Sequence, residues 1–123
     1  MVKTDAGTYR GDDMIDRVAA LTQILGQDPG DAFARYALVL EYASKGDAAS
    51  ALQQFDLLLA RHPDHIAGHF MAAQTLQGLQ RTAEAIEHLQ LGIVSAMQAG
   101  EHKAMAEMQA MLDELQPPGS EGK

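Results

Sequence analysis

The sequence predicts an all-α fold, an array of antiparallel helix pairs. Three observations point there. Pro29 and Pro63 stand 34 residues apart, and each closes a helix-like segment just before another begins. Apolar residues recur at the spacing of helix faces along most of the chain. Composition agrees: hydrophobic content is 46%, aromatic content is only 5%, and Ala, Leu and Met dominate, which suits closely packed helices rather than a sheet. A fixed period of this size marks helical repeats, and such arrays usually work as binding surfaces.

The elements follow in order. Residues 1–11 are polar and glycine-containing and are expected to form a disordered tail. Asp12 or Asp13 can cap a first helix, along which Met14, Val18, Leu21 and Leu25 recur, flanked by Ile15 and Ile24. Gly26 and Asp28-Pro29-Gly30 stop it. Asp31 can cap a second helix running to about Lys45. Its apolar residues (Phe33, Tyr36, Ala37, Leu38, Leu40, Tyr42) surround it almost fully, so it is expected to be covered on more than one side. Gly46-Asp47 turns the chain into a third helix marked by Leu52, Phe55, Leu58 and Leu59, which Pro63 ends. A fourth helix spans about 65–78. Thr82 can cap a fifth, with Ile86, Leu89, Ile93 and Met97 on one face and Gly92 inside it. An interior glycine costs a helix about 1 kcal/mol relative to alanine, so it is either neutral drift or a place of close backbone packing. Gly100 breaks this helix. A sixth covers about 101–115, and Pro117-Pro118 prevents its continuation into a tail at 117–123.

Shifting the chain by 34 extends the match beyond the prolines. Ala51 and Phe55 fall on Ala85 and Leu89. Leu38 and Tyr42 fall on Ala72 and Leu76. Ile24, Leu58 and Gly92 share a column, and Met97 fills the third proline place. These residues resemble the tetratricopeptide repeat family, a 34-residue helix pair carrying W-x2-L-G-x2-Y, then A-x3-F, then Pro. Residues 32–65 supply Leu38-Val39-x2-Tyr42, Gly46-Asp47, Ala51-x3-Phe55 and Pro63. The next unit supplies Ala72-Ala73-x2-Leu76 and Ala85-x3-Leu89. Leu21, Ile24 and Pro29 look like the second half of an earlier unit. The tryptophan place holds Arg35 and His69, the glycine place holds Val39, and Arg17 stands where alanine is expected. The resemblance covers roughly residues 14–98. It implies a right-handed superhelix of about six helices in one domain over 12–116: a half unit at 12–29, units at 31–63 and 64–98, and a C-terminal capping helix at 101–115.

The family's first helices line a concave groove. Its inward places fall on Phe33, Tyr36, Ala37, Leu40 and Ser44, then on Ala67, Phe70, Met71, Gln74 and Gly78. A third set would be Glu101, Ala104, Met105, Met108 and Leu112. Chaperone-binding members use Lys, Arg and Asn there to clamp a C-terminal carboxylate. Here the places hold Tyr, Ala and Leu, then Phe, Met and Gln, so that clamp is absent. An apolar groove rich in methionine suits an amphipathic helix as ligand. The same face could instead join a second copy of the chain, or be filled internally by the sixth helix.

Other chemistry finds little support. His62, His65 and His69 are a weak candidate for binding Zn²⁺ or Ni²⁺, since imidazoles at i and i+4 share a helix face and Asp64 lies nearby. The spacing matches no standard metal motif, and ordinary surface or packed histidines are the expectation. His88 and His102 have no sequence neighbours that suggest catalysis. There is no phosphate loop, no G-x-S-x-G and no assembled nucleophile and base. Cysteine is absent, which excludes disulfides and thiolate chemistry. Net charge is −8, which favours solubility and basic partners and disfavours nucleic acid. No apolar stretch suits a signal peptide or a membrane span. The expectation is a cytoplasmic, non-enzymatic interaction module without cofactor, whose partner is another protein or peptide, or a second copy of itself.

Overall fold

A computed structural model of the chain describes residues 17–117. Among the described residues there are six helices and no strand. They are α1 (residues 17–27), α2 (Ala32–Ser44), α3 (Ala48–Arg61), α4 (Ile66–Gly78), α5 (Thr82–Ala99) and α6 (His102–Leu115). The expected caps Asp12 and Asp13, the apolar Met14 and Ile15, Pro118 and most of both tails lie outside the described residues. The chain divides into two compact units between Leu58 and Leu59, inside α3.

In the first unit, α1 packs on α2. Leu25, Ala34 and Leu38 form a buried cluster, with Val18, Leu21 and Tyr42 against it. Asp31 caps α2 as expected, its Oδ1 accepting from the Ala34 N–H at 3.0 Å. Arg17, where alanine was expected, pairs with Glu41 (Nε to Oε2, 2.6 Å). Gly46 takes the left-handed conformation (φ 78°) that glycine adopts without steric cost. Asp47 then caps α3, accepting from the Ser50 N–H and hydroxyl at 3.1 and 2.8 Å. These bonds hold its carboxyl below the usual carboxylate range. Ala51, Phe55 and Leu58 recur at i, i+4 and i+7 on α3 and are buried.

In the second unit, α4 packs on α5 and α5 on α6. Small residues allow close approach: Ala72, Ala73, Ala85 and Ala96 are all fully buried. A Cβ added at Gly92 would lie 3.0 Å from the His69 Cβ and 2.6 Å from the Met108 Sδ. The interior glycine is therefore required by packing.

The 34-residue shift also relates features that the motifs do not name. Asp31 falls on His65, and both cap a helix from the side chain. Gly46 falls on Gln80, which also adopts positive φ (62°). The turn keeps its geometry although its second copy lacks glycine.

Several expectations need correction. Thr82 does not cap α5: Arg81 occupies that position without a side-chain cap bond, and the Thr82 hydroxyl donates to Gln77 Oε1 at 3.0 Å. Met97 is 59% exposed, not part of the packed face. It lies eight positions after Leu89, about 80° around a helix of 3.6 residues per turn, so Ala96 takes the buried place. Ile24 is exposed while its column partners Leu58 and Gly92 are buried.

Two stability outcomes follow. Ala51→Leu overpacks a fully buried contact and is expected to cost about 1–3 kcal/mol in urea unfolding. Gln80→Gly relieves a left-handed residue that costs about 1–2 kcal/mol, partly offset by about 0.4–1 kcal/mol of added unfolded-state freedom, and is expected to raise the urea midpoint.

Candidate functional site

The inward places behave differently in the two units. On α2, Phe33, Tyr36, Ala37 and Leu40 lie at i, i+3, i+4 and i+7 and so share one face. Phe33 is 83% exposed and Leu40 39%. Tyr36 and Ala37 are partly buried between them, and burial pushes the Tyr36 hydroxyl above its ordinary pKa. This is a continuous apolar strip on the first unit's surface. On α4, Phe70 and Met71 are partly buried and Gln74 is exposed. On α6, Met105 is partly buried. Met108 departs from its expected place: it is 0% exposed and its sulfur lies against Gly92, so it is a core residue of the second unit.

The histidines are brought together, but not as metal ligands. Among the described residues no group of three His, Cys, Asp or Glu side chains could hold a metal ion. His65 caps α4, its Nδ1 accepting from the Gly68 N–H at 2.9 Å. That bond needs an unprotonated Nδ1. Burial, together with the charges of His62 and His69, lowers its pKa from the ordinary histidine value. His69, 3% exposed, places Nε2 at 2.7 Å from the Pro63 carbonyl and Nδ1 at 3.1 Å from His88 Nδ1. The rings are tilted by 40° with centroids 5.4 Å apart. A carbonyl only accepts, so His69 carries its proton on Nε2. Its Nδ1 then accepts, and His88 Nδ1 must donate.

The first unit contains the same bridge in other residues. Arg35 Nη2 donates to the Pro29 carbonyl at 3.1 Å, and Nη1 donates to Gln54 Oε1 at 3.0 Å. Pro29, Arg35 and Gln54 shifted by 34 become Pro63, His69 and His88. The side chain at the first helix's tryptophan place thus reaches back to the proline carbonyl and across to the second helix, twice. Sequence reasoning noted Arg35 and His69 as departures at the tryptophan place, and His69 also as a weak metal candidate, but not as bridges. The signal that could have found the bridge is that Gln54 and His88 are both polar and lie on the same 34-residue shift.

No protein-family model matches the chain, and no curated protein matches it. Solved structures do. A tetratricopeptide repeat domain protein from Salinibacter ruber is 30% identical, with 76% of this chain and 94% of that one covered and a TM-score of 0.69. The type III secretion chaperone SycD of Yersinia enterocolitica, solved with a peptide of the translocator YopD, is 18% identical over 92% of this chain and 87% of that one, TM-score 0.77. PcrH, solved with the chaperone-binding region of PopD, is also 18% identical, over 93% and 86%, TM-score 0.77. Among the described residues no helix is long and apolar enough to cross a membrane.

The cap on α4 makes a pH prediction. A histidine with a depressed pKa stabilises the fold while neutral. That stability is present above the unfolded value of about 6.5 and is lost as pH falls below it. His65→Asn supplies a cap that does not titrate in this range. Denaturant unfolding is expected to show little change at neutral pH and a relative gain for the variant below pH 6; parallel losses in both proteins would refute the assignment.

Proposed function

The chain belongs to the tetratricopeptide repeat family, and from that membership we propose that it is a non-enzymatic binding module that holds an apolar or amphipathic segment of another protein. One observation carries this reading. Phe33 and Leu40 remain exposed on the α2 face where the family's inward places fall, with Tyr36 and Ala37 completing the strip. A large aromatic side chain left in water beside further apolar surface marks an interaction site better than scattered single residues do. Anchors at i, i+3, i+4 and i+7 suit a ligand helix laid along this face.

The net charge of −8 favours lysine or arginine around the ligand's apolar stripe, through faster and more selective encounter. Phe70, Met71 and Gln74 would serve the same purpose in their own unit, and Met105 would add to it. Peptide-bound chaperones of like fold, such as SycD and PcrH, lend the reading support. A location in the cytoplasm belongs to the same proposal.

The same strip would also serve self-association. Light scattering from micromolar to submillimolar concentration separates the two. A dimer that Phe33→Glu dissolves would replace the peptide reading with one of assembly.

The direct test uses a fluorescein-labelled amphipathic peptide with leucines at i, i+3, i+4 and i+7 and lysines on its other face. Phe33→Glu with Leu40→Glu is expected to weaken its binding at least about tenfold, or about 1.4 kcal/mol, with unchanged circular dichroism. Equal anisotropy titrations for wild type and variant would overturn the assignment of the face.

A further inference from the structure

α5 carries an apolar surface of its own on the side away from α4 and α6. Ala85, Leu89, Gly92 and Ala96 form the buried side of this helix, which packs on α4 and on α6. At about 100° per residue, Leu91, Val94 and Met97 fall outside that side. They are 54%, 51% and 59% exposed. Side chains three apart on a helix are neighbours, so these make one continuous ridge. Single apolar residues scattered over a surface are ordinary, but a contiguous run of large ones marks an interaction site.

The corresponding face of the first repeat lacks the ridge. Leu91, Val94 and Met97 shifted back by 34 become Leu57, Ala60 and Pro63. α3 ends at Arg61, before that proline. Of the three places, only Leu57 presents a large apolar side chain to water. α5 instead continues to Ala99, and Met97 is helical because no proline stands there. The charges change as well. One turn to either side of Leu57 stand Gln53 and Arg61; the same places around Leu91 hold Glu87 and Ser95. A basic group is lost and an acidic one gained. α5 contains no lysine or arginine. Arg81, just before it, pairs with Glu84 at 2.7 Å. Glu87 before the ridge and Glu101 after it are both exposed, and Lys103 on α6 is the nearest basic residue beyond them.

We propose that this ridge is a second docking surface, and that its occupant is a lysine- or arginine-rich amphipathic helix of another protein. The apolar side of that helix covers Leu91, Val94 and Met97, and its cations lie beside Glu87 and Glu101. Methionine suits the place because its flexible, polarizable side chain adapts to the surface it meets. Complementary charge speeds and selects the encounter.

Charge also decides against the other cover, a second copy of the chain. Each copy carries −8. A two-fold contact centred on Val94 would set Leu91 against Met97 of the second copy, but it would also bring Glu87 toward that copy's Glu101. Like charges brought together across an interface oppose it. The ridge lies wholly in the second unit and shares no residue with the α2 strip, so it stands or falls apart from the reading of that strip.

The test follows methionine methyl groups by NMR on the full chain, with the Met97 signal assigned by its loss in Met97→Leu. The probe is a synthetic peptide with leucines at i, i+3, i+4 and i+7 and lysines on its other face. It is expected to shift the Met97 signal saturably, in the wild type and equally in Phe33→Glu with Leu40→Glu. In Leu91→Glu with Val94→Glu, the affinity read at Met97 is expected to fall at least about tenfold. Where that variant does not fold, Leu91→Ala with Val94→Ala takes its place, again with weaker binding expected. The same peptide with glutamates for lysines is expected to bind at Met97 at least about tenfold more weakly. An unmoved Met97 signal, a shift lost in the Phe33 and Leu40 variant, or equal binding of the two peptides would each overturn the proposal. So would a dimer in light scattering that Val94→Glu dissolves, because the ridge would then belong to a second copy.

Discussion

The recurring constraint in this structure is a carbonyl that needs a donor. The half unit and the first full unit each end a helix with a proline, Pro29 and Pro63, whose carbonyl sits in the turn, outside any helical ladder. Backbone acceptors left unpaired in protein cost about 1–3 kcal/mol. In both units a side chain six residues onward donates to that carbonyl, and the same side chain then reaches the second helix of its pair. Turn, first helix and second helix are thus fixed relative to one another by one residue. Family members place tryptophan there, which fills space. This chain uses a polar side chain with two working ends.

Much of this was legible from residues. The period and the helix order follow from spacing, and the buried Ala51, Phe55, Ala72, Ala85 and Leu89 from the repeat motif laid on that spacing. Spacing registers which side of a helix is apolar, and these positions sit well inside long segments. Asp31 and Gly46 were legible because their chemistry is specific: a carboxylate that accepts from free N–H groups, and a glycine free to take positive φ. Their second copies were not. His65 and Gln80 do the same jobs with residues that rarely do them, and only the shift by 34 shows the equivalence. Met97 and Met108 were misplaced for another reason. Met97 lies one residue from the buried Ala96, and Met108 was placed by carrying the repeat register one period beyond the matched units.

The candidate site was legible in position but not in state. Spacing put Phe33, Tyr36, Ala37 and Leu40 on one face of α2; it could not say that Phe33 stands in water. The apolar content of α2 explains why. Ala34, Leu38 and Val39 already satisfy its packing. The strip formed by Phe33 and Leu40 is surplus to the fold. Surplus apolar surface on a stable helix adds nothing to folding while it remains in water. Core requirements therefore explain Leu38 and leave Phe33 to be explained by association.

The two bridges also differ in how deeply they lie, and chemistry sets the order. A guanidinium keeps its charge at any ordinary pH, and burying a charge without full compensation is costly. Arg35 accordingly keeps part of its side chain exposed. Imidazole can be neutral, and a neutral ring with both nitrogens bonded can be enclosed at little cost. His69 is enclosed, and α5 approaches it closely at Gly92. A neutral histidine at this place permits an enclosure beside Gly92 of α5 that an arginine would resist.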